Sequence, residues 1–436
     1  MFRFAVGLII VCAAIIGAAA EPSAVQPTVI HAGRLLDRPG HAPRGPSTIV
    51  IRDGRIESVT DGIADAADGA AIIDLSDHFV LPGLIDAHVH LTSDKAGVEA
   101  QLLNMTASQA ALAYEAAVNA RKTLEAGFTT VRNLGDRNGI TLALRDAIAA
   151  GKMTGPRILD AGTSISATSG HMDPTLGYRE DLAEALDVHD NLCDGVESCR
   201  RAVRMQIRRG VDVIKIATTG GVNSRIGAGL GRQMFEDEAR ALVETAHLYG
   251  RKVAVHAHGA DGVALALRAG ADSIEHGTLV GDDEVDLFRR TGAYYVPTLS
   301  TVNGYLERLA RDPNAYTPEV RAKIEWRISI TGKAFRLAHE RGVKIAFGTD
   351  AGVSLHGRNA DEFELMVKHG MTPGEAIAAA TVNGADLLGL SDEIGTIEPG
   401  KRADLIAVGG DPLADVAALK SVAFVMRNGA VYKDGR

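Results

Sequence analysis

Strand-like and helix-like segments alternate through the middle of the chain, and this alternation restricts the possible folds more than any other feature of the sequence. Many helical segments end at a glycine, as at Gly127, Gly210 and Gly342, which is typical of a helix C-cap. Eight segments have strand character: 84–88, 129–133, 157–161, 212–217, 252–257, 272–276, 293–297 and 344–349. Eight strands alternating with helices predict an α/β fold, a (β/α)₈ or TIM barrel, over residues 83–388. The longest predicted helix spans 318–340, and another spans 373–388.

Both ends of the chain have β character instead. Short strand-like runs occur at 28–32, 47–52, 55–60 and 71–75 before the barrel, and at 404–408, 422–427 and 430–432 after it. Asp53-Gly54 and Asn428-Gly429 are hairpin-turn pairs. We therefore predict one small β-sandwich built from residues 21–82 and 389–436 together.

The first 20 residues have the features of a secretory signal peptide. An arginine near the start precedes an apolar run, and Ala18-Ala19-Ala20 forms a small-residue cleavage site. The run is shorter than a typical membrane span, although a retained anchor is the alternative. No other stretch is long and apolar enough to cross a bilayer, so we expect an exported protein, periplasmic or secreted, without a membrane span. The net charge of −9 argues against a nucleic-acid partner.

Two cysteines remain after the predicted cleavage, Cys193 and Cys199. An even pair in an oxidising compartment predicts a disulfide. The alternative is two unlinked thiols flanking the start of a helix.

A His-x-His pattern ends the first predicted barrel strand. Side chains of a strand alternate between its two faces, so His88 and His90 point to the same side. Two imidazoles on one face of a strand can bind a divalent metal ion. A motif match of this kind also arises by chance, so its weight depends on the rest of the chain.

Further residues of metal-binding chemistry follow at the ends of later strands, where barrel enzymes carry their catalytic groups. They are Lys215, His256, His276 and Asp350. Taken singly, a histidine there is often an ordinary hydrogen-bonded polar residue, and Asp350 could cap a helix. Lys215 lies among apolar residues, where an unpaired charge is costly. Their joint occurrence at one barrel mouth predicts a functional site.

These residues resemble the amidohydrolase superfamily in its binuclear form, and the resemblance covers the chain from about Thr28 to the end. The six positions match in order and spacing. Longer phrases support it: Gly348-Thr349-Asp350-Ala351-Gly352, Ala379-Ala380-Thr381, and Gly395-Thr396-Ile397-Glu398-Pro399-Gly400. Within the superfamily the chain is most similar to the branch of Xaa-Pro dipeptidases, aminoacyl-amino-acid carboxypeptidases and ochratoxin-hydrolysing amidases. The sequence motifs that support this similarity are 214–222, 256–259 and 169–173. In the last of them, Ser169 and Met172 stand where family members more often have glycine.

The resemblance implies two Zn²⁺ per chain, bridged by Lys215 carboxylated on its amine. His88, His90, Lys215 and Asp350 would hold one metal, and Lys215, His256 and His276 the other. Zinc suits imidazole and carboxylate ligands and lowers the pKa of water. Asp350 would accept the proton of the attacking water and pass it to the leaving amine.

Three more residues are candidates for contact with the substrate. His258 lies two residues beyond His256 and shares its face, so it would contact the substrate or its carbonyl. The alternative is that His258 only hydrogen-bonds to a metal-binding residue. His171 and Arg225 lie on loops after the third and fourth strands and could bind a carboxylate. For Arg225 the alternative is an ordinary solvated charge.

The sequence therefore predicts a metal-dependent hydrolase that cleaves the amide bond of dipeptides or N-acyl amino acids, including ochratoxin-type amides. Lys215 argues against deamination, because single-metal deaminases of the superfamily lack it. The first alternative is a cyclic-amide or lactone hydrolase resembling imidazolonepropionase. The second is a barrel that only binds a ligand, which the full ligand set disfavours. By resemblance we also expect a homo-oligomer.

Overall fold

The computed structural model describes residues 26–66, 68–185, 191–224 and 229–436. The predicted signal peptide and Arg225 lie outside these residues. The strands are β1 Thr28–Leu35, β2 Ser47–Arg52, β3 Arg55–Asp61, β4 Ala71–Pro82, β5 Leu84–Val89, β6 Phe128–Asn133, β7 Arg157–Asp160, β8 Val213–Ala217, β9 Lys252–Ala257, β10 Ser273–His276, β11 Tyr294–Val296, β12 Leu405–Val408, β13 Val422–Arg427 and β14 Ala430–Asp434. The helices are α1 Gly97–Thr106, α2 Gln109–Glu125, α3 Ile140–Ala149, α4 Glu180–Ala185, α5 Val196–Arg208, α6 Glu236–Leu248, α7 Ala260–Ala269, α8 Asp282–Thr291, α9 Thr301–Arg311, α10 Pro318–Ile330, α11 Lys333–Glu340, α12 Asp361–Lys368, α13 Pro373–Ala379 and α14 Val382–Leu388, with a short 3₁₀ turn at Val416–Lys420.

Strands from both chain ends form one seven-stranded sheet in the order β14-β13-β12-β4-β1-β2-β3. The two ends meet where β12 pairs antiparallel with β4, with Leu405 opposite Pro82 and Val408 opposite Phe79. The sheet has a core of its own, which includes Ile30 and Phe424. The predicted joining of both termini into one small β domain is therefore confirmed. The boundaries 21–82, 83–388 and 389–436 stay predictions, since only Gly83 separates β4 from β5.

Parallel strands surrounded by helices form the barrel. β5, β6 and β7 make one hydrogen-bonded sheet, and β8, β9, β10 and β11 make another. Every residue of β5, β6 and β8 is buried, as expected for parallel strands with both faces covered. The α/β barrel prediction is confirmed, although continuous strand pairing does not close the barrel.

The predicted eighth strand, 344–349, does not form a regular strand. Tyr295 pairs with Ile345 and Val89 with Ala351, each as a single bridge. Between these bridges the Phe347 amide donates to the carbonyl of Ala379, the last residue of α13. The Phe347 carbonyl accepts from the Ala87 amide of β5. The segment occupies the eighth position, but its backbone bonds are divided among several partners, so no ladder develops.

The helical predictions differ from the structure at two breaks. The predicted helix 318–340 is two helices, α10 and α11, because Gly332 has a φ of +83°. A β-carbon there would lie 2.1 Å from the His369 ring, so only glycine fits. The predicted helix 373–388 is also two helices, α13 and α14, because the backbone at Thr381 is not helical, with a φ of −134° and a ψ of −90°. Helix α9 is absent from the predictions above. Within the described residues, no helix is long and apolar enough to span a membrane.

The predicted disulfide is present. Cys193 and Cys199 are joined, with their α-carbons 4.6 Å apart, and both are fully buried at the start of α5. The bond closes a small loop that leads from the barrel mouth into α5.

Replacing both cysteines with alanine should lower the free energy of unfolding by about 2 kcal/mol, because the short closed loop no longer restricts the unfolded chain. Urea unfolding of wild type and the double variant measures this difference. Non-reducing peptide mapping should recover the two cysteines in one linked peptide. Free thiols at both positions in the oxidised wild-type protein would contradict the assignment.

Candidate metal centre

The residues predicted from the strand ends surround one cavity at the C-terminal end of the barrel. Its volume is about 140 Å³. Its lining includes His88, His90, His171, Lys215, His256, His258, His276, Tyr305, Arg327 and Asp350. Two larger cavities, of about 300 and 1050 Å³, both reach His90 from the outside. All the predicted site residues that the structure describes are therefore brought together.

His88 and His90 point the same nitrogen at one carboxylate. His88 Nδ1 donates to the Glu275 carboxylate at 2.8 Å, and His90 Nδ1 donates to the Gly135 carbonyl at 3.1 Å. Each Nε2 then lies 3.4 Å from Asp350 Oδ1. The hydrogen bonds at Nδ1 leave both Nε2 lone pairs directed at the cavity, as metal-binding histidines require.

Glu275 is held by a network that sequence reasoning missed. Its carboxylate accepts from Arg132 Nη2 at 2.8 Å and from Ser273 Oγ at 2.6 Å, as well as from His88. Arg132 also donates to the Ala87 carbonyl at 2.6 Å. Burial by itself would raise the pKa of Glu275, but Arg132 and His88 bring it to about 2. The sequence carried a signal for this pair, because Arg132 and Glu275 are charged residues within the predicted barrel strands 129–133 and 272–276.

Asp350 lies on a strained turn that Asp86 stabilises. Its φ is +57°, a conformation that non-glycine residues rarely adopt and that is concentrated at functional sites. The fully buried Asp86 carboxylate accepts from the backbone of His88 and Thr349, from the Thr349 hydroxyl at 2.6 Å and from Asn359 at 2.8 Å. Burial raises the pKa of Asp350 to about 7, and nearby Lys215 opposes that rise.

A second set of imidazoles lies against the first. The ring centres of His256 and His276 are 4.6 Å apart, and His258 is 4.8 and 4.9 Å from them. His256 Nε2 donates to the Gly220 carbonyl at 3.3 Å. His258 and His276 each contact a threonine hydroxyl through Nδ1, at 2.7 Å in both cases, from Thr278 and Thr298. Each ring thus has one nitrogen oriented by the protein and one left for a ligand.

Lys215 lies on the inner face of β8 and is 1% exposed. Its Nζ is buried and has no hydrogen-bond partner among the described residues. Burial lowers its pKa to about 8, and the charges of Glu275 and Asp350 partly offset this. An unpaired buried ammonium is costly, so this amine is unexplained by the protein groups around it.

The donor set fits divalent metal ions. Ligand atoms of His88, His276 and Asp350 lie within 4.8 Å of one another, and so do those of His256, His258 and His276. Burial lowers the pKa of His90 to about 4 and that of His88, His256, His258 and His276 well below its usual range. The imidazoles are neutral at pH 7, the state in which they bind metals. The unpaired Lys215 amine beside them is the second observation in favour of a metal group.

His171 stacks on His256 at 4.1 Å between ring centres, and its Nδ1 is buried without a partner among the described residues. A β-carbon on Gly221 would lie 2.1 Å from the His171 ring, so glycine is needed to admit it. His171 is thus at the site as predicted. The position of Arg225 stays untested because it lies outside the described residues.

Tyr305 and Arg327 also line the cavity, and sequence reasoning missed both. They come from α9, which was not predicted, and from α10. A helix after the seventh strand gives no sign in its own sequence that one face turns toward the barrel mouth.

The chain matches the amidohydrolase family over residues 79–432. It is 32% identical over 425 residues to ochratoxinase from Aspergillus niger, which covers 93% of this chain and 86% of that protein. A solved Xaa-Pro dipeptidase with methionine bound in the active site is 41% identical, covering 94% of this chain and all of its own, with a TM-score of 0.89. A solved prolidase complexed with N-methylphosphonate-L-proline is 30% identical, with coverage of 94% and 100% and a TM-score of 0.85.

The matched span includes every described residue that the strand ends bring to the cavity, and the similarity extends over nearly the whole chain. The chain therefore belongs to the amidohydrolase family and is a hydrolase that acts on amide bonds.

Proposed function

We propose that this protein is a binuclear zinc hydrolase that cleaves the amide bond of dipeptides or N-acyl amino acids, including ochratoxin-type amides. The observation that carries the proposal is the buried, unpaired Lys215 amine within a ring of neutral imidazoles. A site that only bound a ligand would not need such an amine.

Lys215 is suited to carboxylation. Burial lowers the pKa of the amine to about 8, so a larger fraction is neutral than in an exposed lysine. The lone pair of the neutral amine forms a bond to the carbon of CO₂, and the released proton leaves to solvent. The product is a carbamate, an anion with two oxygens, whereas the protonated amine offers only donors. This change replaces an unpaired cation with a group that can bridge two cations.

The ligands divide into two groups around that carbamate. His88, His90 and Asp350 would hold one zinc ion together with Lys215, and His256 and His276 would hold the other with the same lysine. Two zinc ions at this place supply Lewis acidity and water with a lowered pKa. Arg132 and Glu275 act as positioning residues, because they orient His88 through its Nδ1.

Asp350 would move the proton. Its Oδ1 faces His88 and His90, so the carboxylate lies where the attacking water would be held. It accepts the water's proton and delivers it to the nitrogen of the leaving amine, which a peptide bond requires. His258, fixed by Thr278, contacts the substrate carbonyl oxygen from the other set of imidazoles.

The substrate class rests on the relatives and on the cavities. The ligands named for two related structures, methionine and N-methylphosphonate-L-proline, are an amino acid and an amino-acid derivative. Cavities of about 300 and 1050 Å³ meet near His90, which leaves room on both sides of a bond held at the ligands. We also propose that the protein is exported to the periplasm or medium and assembles as a homo-oligomer.

The purified protein should contain about two zinc ions per chain and hydrolyse members of a panel of Xaa-Pro dipeptides and N-acyl amino acids. His88→Ala or His276→Ala should each lose at least one zinc ion, because each removes a buried ligand. Metal analysis by mass spectrometry and a ninhydrin assay measure the two outcomes. His247→Ala, which alters an exposed histidine paired with Asp272, is the matched control and should retain both ions. Full activity of the metal-free protein would contradict the proposed zinc mechanism.

Asp350→Asn should keep the fold while kcat falls by a few orders of magnitude, because the amide has the same shape but cannot accept the proton. Steady-state kinetics on the best substrate of the panel measure the loss, and circular dichroism checks the fold. Near-normal turnover would show that another residue is the base.

Lys215→Ala should lose the bridge between the metals and most of the activity. A short carboxylic acid added with excess zinc should restore part of it, because it fills the space of the carbamate and supplies two oxygens. Lys215→Met is the matched control: its side chain fills the space without oxygen ligands, so the acid should not rescue it. A crystal structure of the active protein should show three extra atoms on the Lys215 amine. An unmodified amine in an active, metal-loaded crystal would overturn the carbamate.

A further inference from the structure

Arg327 is a second buried cation in the cavity, and the chemistry above does not use it. It lies on α10 and is 4% exposed. It lines the same small cavity as Lys215, His258 and Asp350. An arginine this deeply buried normally lies against a carboxylate, because desolvating its charge without compensation is expensive.

Among the described residues, no carboxylate lies within ion-pairing distance of Arg327. Its guanidinium donates from Nη1 to the Thr331 hydroxyl at 3.2 Å. The acidic group that acts on it at longer range, Glu362, is occupied by the backbone amides of Leu299 and Ser300 at 2.9 and 2.6 Å. The remaining donors of the fork are therefore available to something that enters the cavity.

Two other cations nearby, Arg308 and Lys323, donate to backbone carbonyls, which sets Arg327 apart. Arg308, one helix earlier, donates to the backbone carbonyls of Asp94, Gly352 and Val353 and so supports the loop that carries Asp350. Lys323, on the same helix as Arg327, donates to the carbonyls of Gly221 and Ser224. Those two residues hold loops in place, whereas Arg327 does not.

We propose that Arg327 binds the free carboxylate of the substrate's amino-acid portion and so sets the preference of the enzyme for free acids over their amides. A planar guanidinium receives a carboxylate through two parallel hydrogen bonds, which fixes the direction of the substrate as well as its charge. This inference rests on the proposed amide hydrolysis and names the residue that recognises the free acid. It also replaces Arg225 as the principal candidate for the carboxylate contact.

The test compares acids with amides in the zinc-loaded protein. Wild type should prefer a dipeptide over its C-terminal amide. In Arg327→Gln, kcat/KM for the free acid should fall about 10- to 100-fold, mainly through KM, as expected for a lost charged hydrogen bond. The value for the amide should change little. For Arg327→Lys, kcat/KM for the free acid should lie between the values of wild type and Arg327→Gln, because lysine keeps the charge without the planar pair of donors.

Arg321→Gln is the matched control, since it removes an exposed arginine of the same helix that pairs with Glu325. It should leave the acid-over-amide ratio unchanged. An unchanged ratio in either folded variant of Arg327, or equal use of acid and amide by wild type, contradicts the assignment.

Calorimetry separates this inference from the proposed function. In an Asp350→Asn background, N-acetyl-L-methionine should bind more tightly than N-acetyl-L-methioninamide, and Arg327→Gln should abolish the difference. If wild type cleaves nothing in the substrate panel, the proposed function fails, and this pair of ligands still decides whether Arg327 binds a carboxylate.

Discussion

The cost of burying charge at the barrel mouth governs the arrangement of this site. Arg132, Glu275 and His88 form one fully buried chain of hydrogen bonds, in which each group compensates the desolvation of the next. The position of His88, and through it the approach of Asp350, depends on that chain. Two cations, Lys215 and Arg327, are left without such compensation by the described residues, and each one points to a component that comes from outside the chain.

The two uncompensated cations are consistent with different partners. Lys215 shares its cavity with the neutral imidazoles of both sets, where, in the proposed function, a carbamate would supply oxygen ligands to metal ions. Arg327 lies on the helical side of the same cavity, where a fork of donors suits a planar carboxylate. In the two proposals, metal binding would involve Lys215 and substrate orientation would involve Arg327, and both residues line the same cavity as Asp350.

Backbone strain is concentrated at the same place. His276, Thr298 and Asp350 all have positive φ, and the hydroxyl of Thr298 contacts His276. The surrounding hydrogen bonds, above all the four that Asp86 accepts, hold conformations that an isolated segment would not adopt. Glycines at 221 and 332 serve a related purpose, because each admits a histidine ring at a distance that no other residue permits.

The sequence by itself determined the barrel, the joining of both chain ends, the disulfide and the set of residues that meet at the mouth. It could do so because alternating periodicity sets the element type and the C-terminal ends of parallel strands converge wherever a barrel forms. Only the tertiary structure decided that 344–349 pairs through single bridges, that Arg132 reaches Glu275 across 143 residues, and that Arg327 faces the cavity. These features depend on which distant groups approach one another, and local sequence patterns carry no information on such distances.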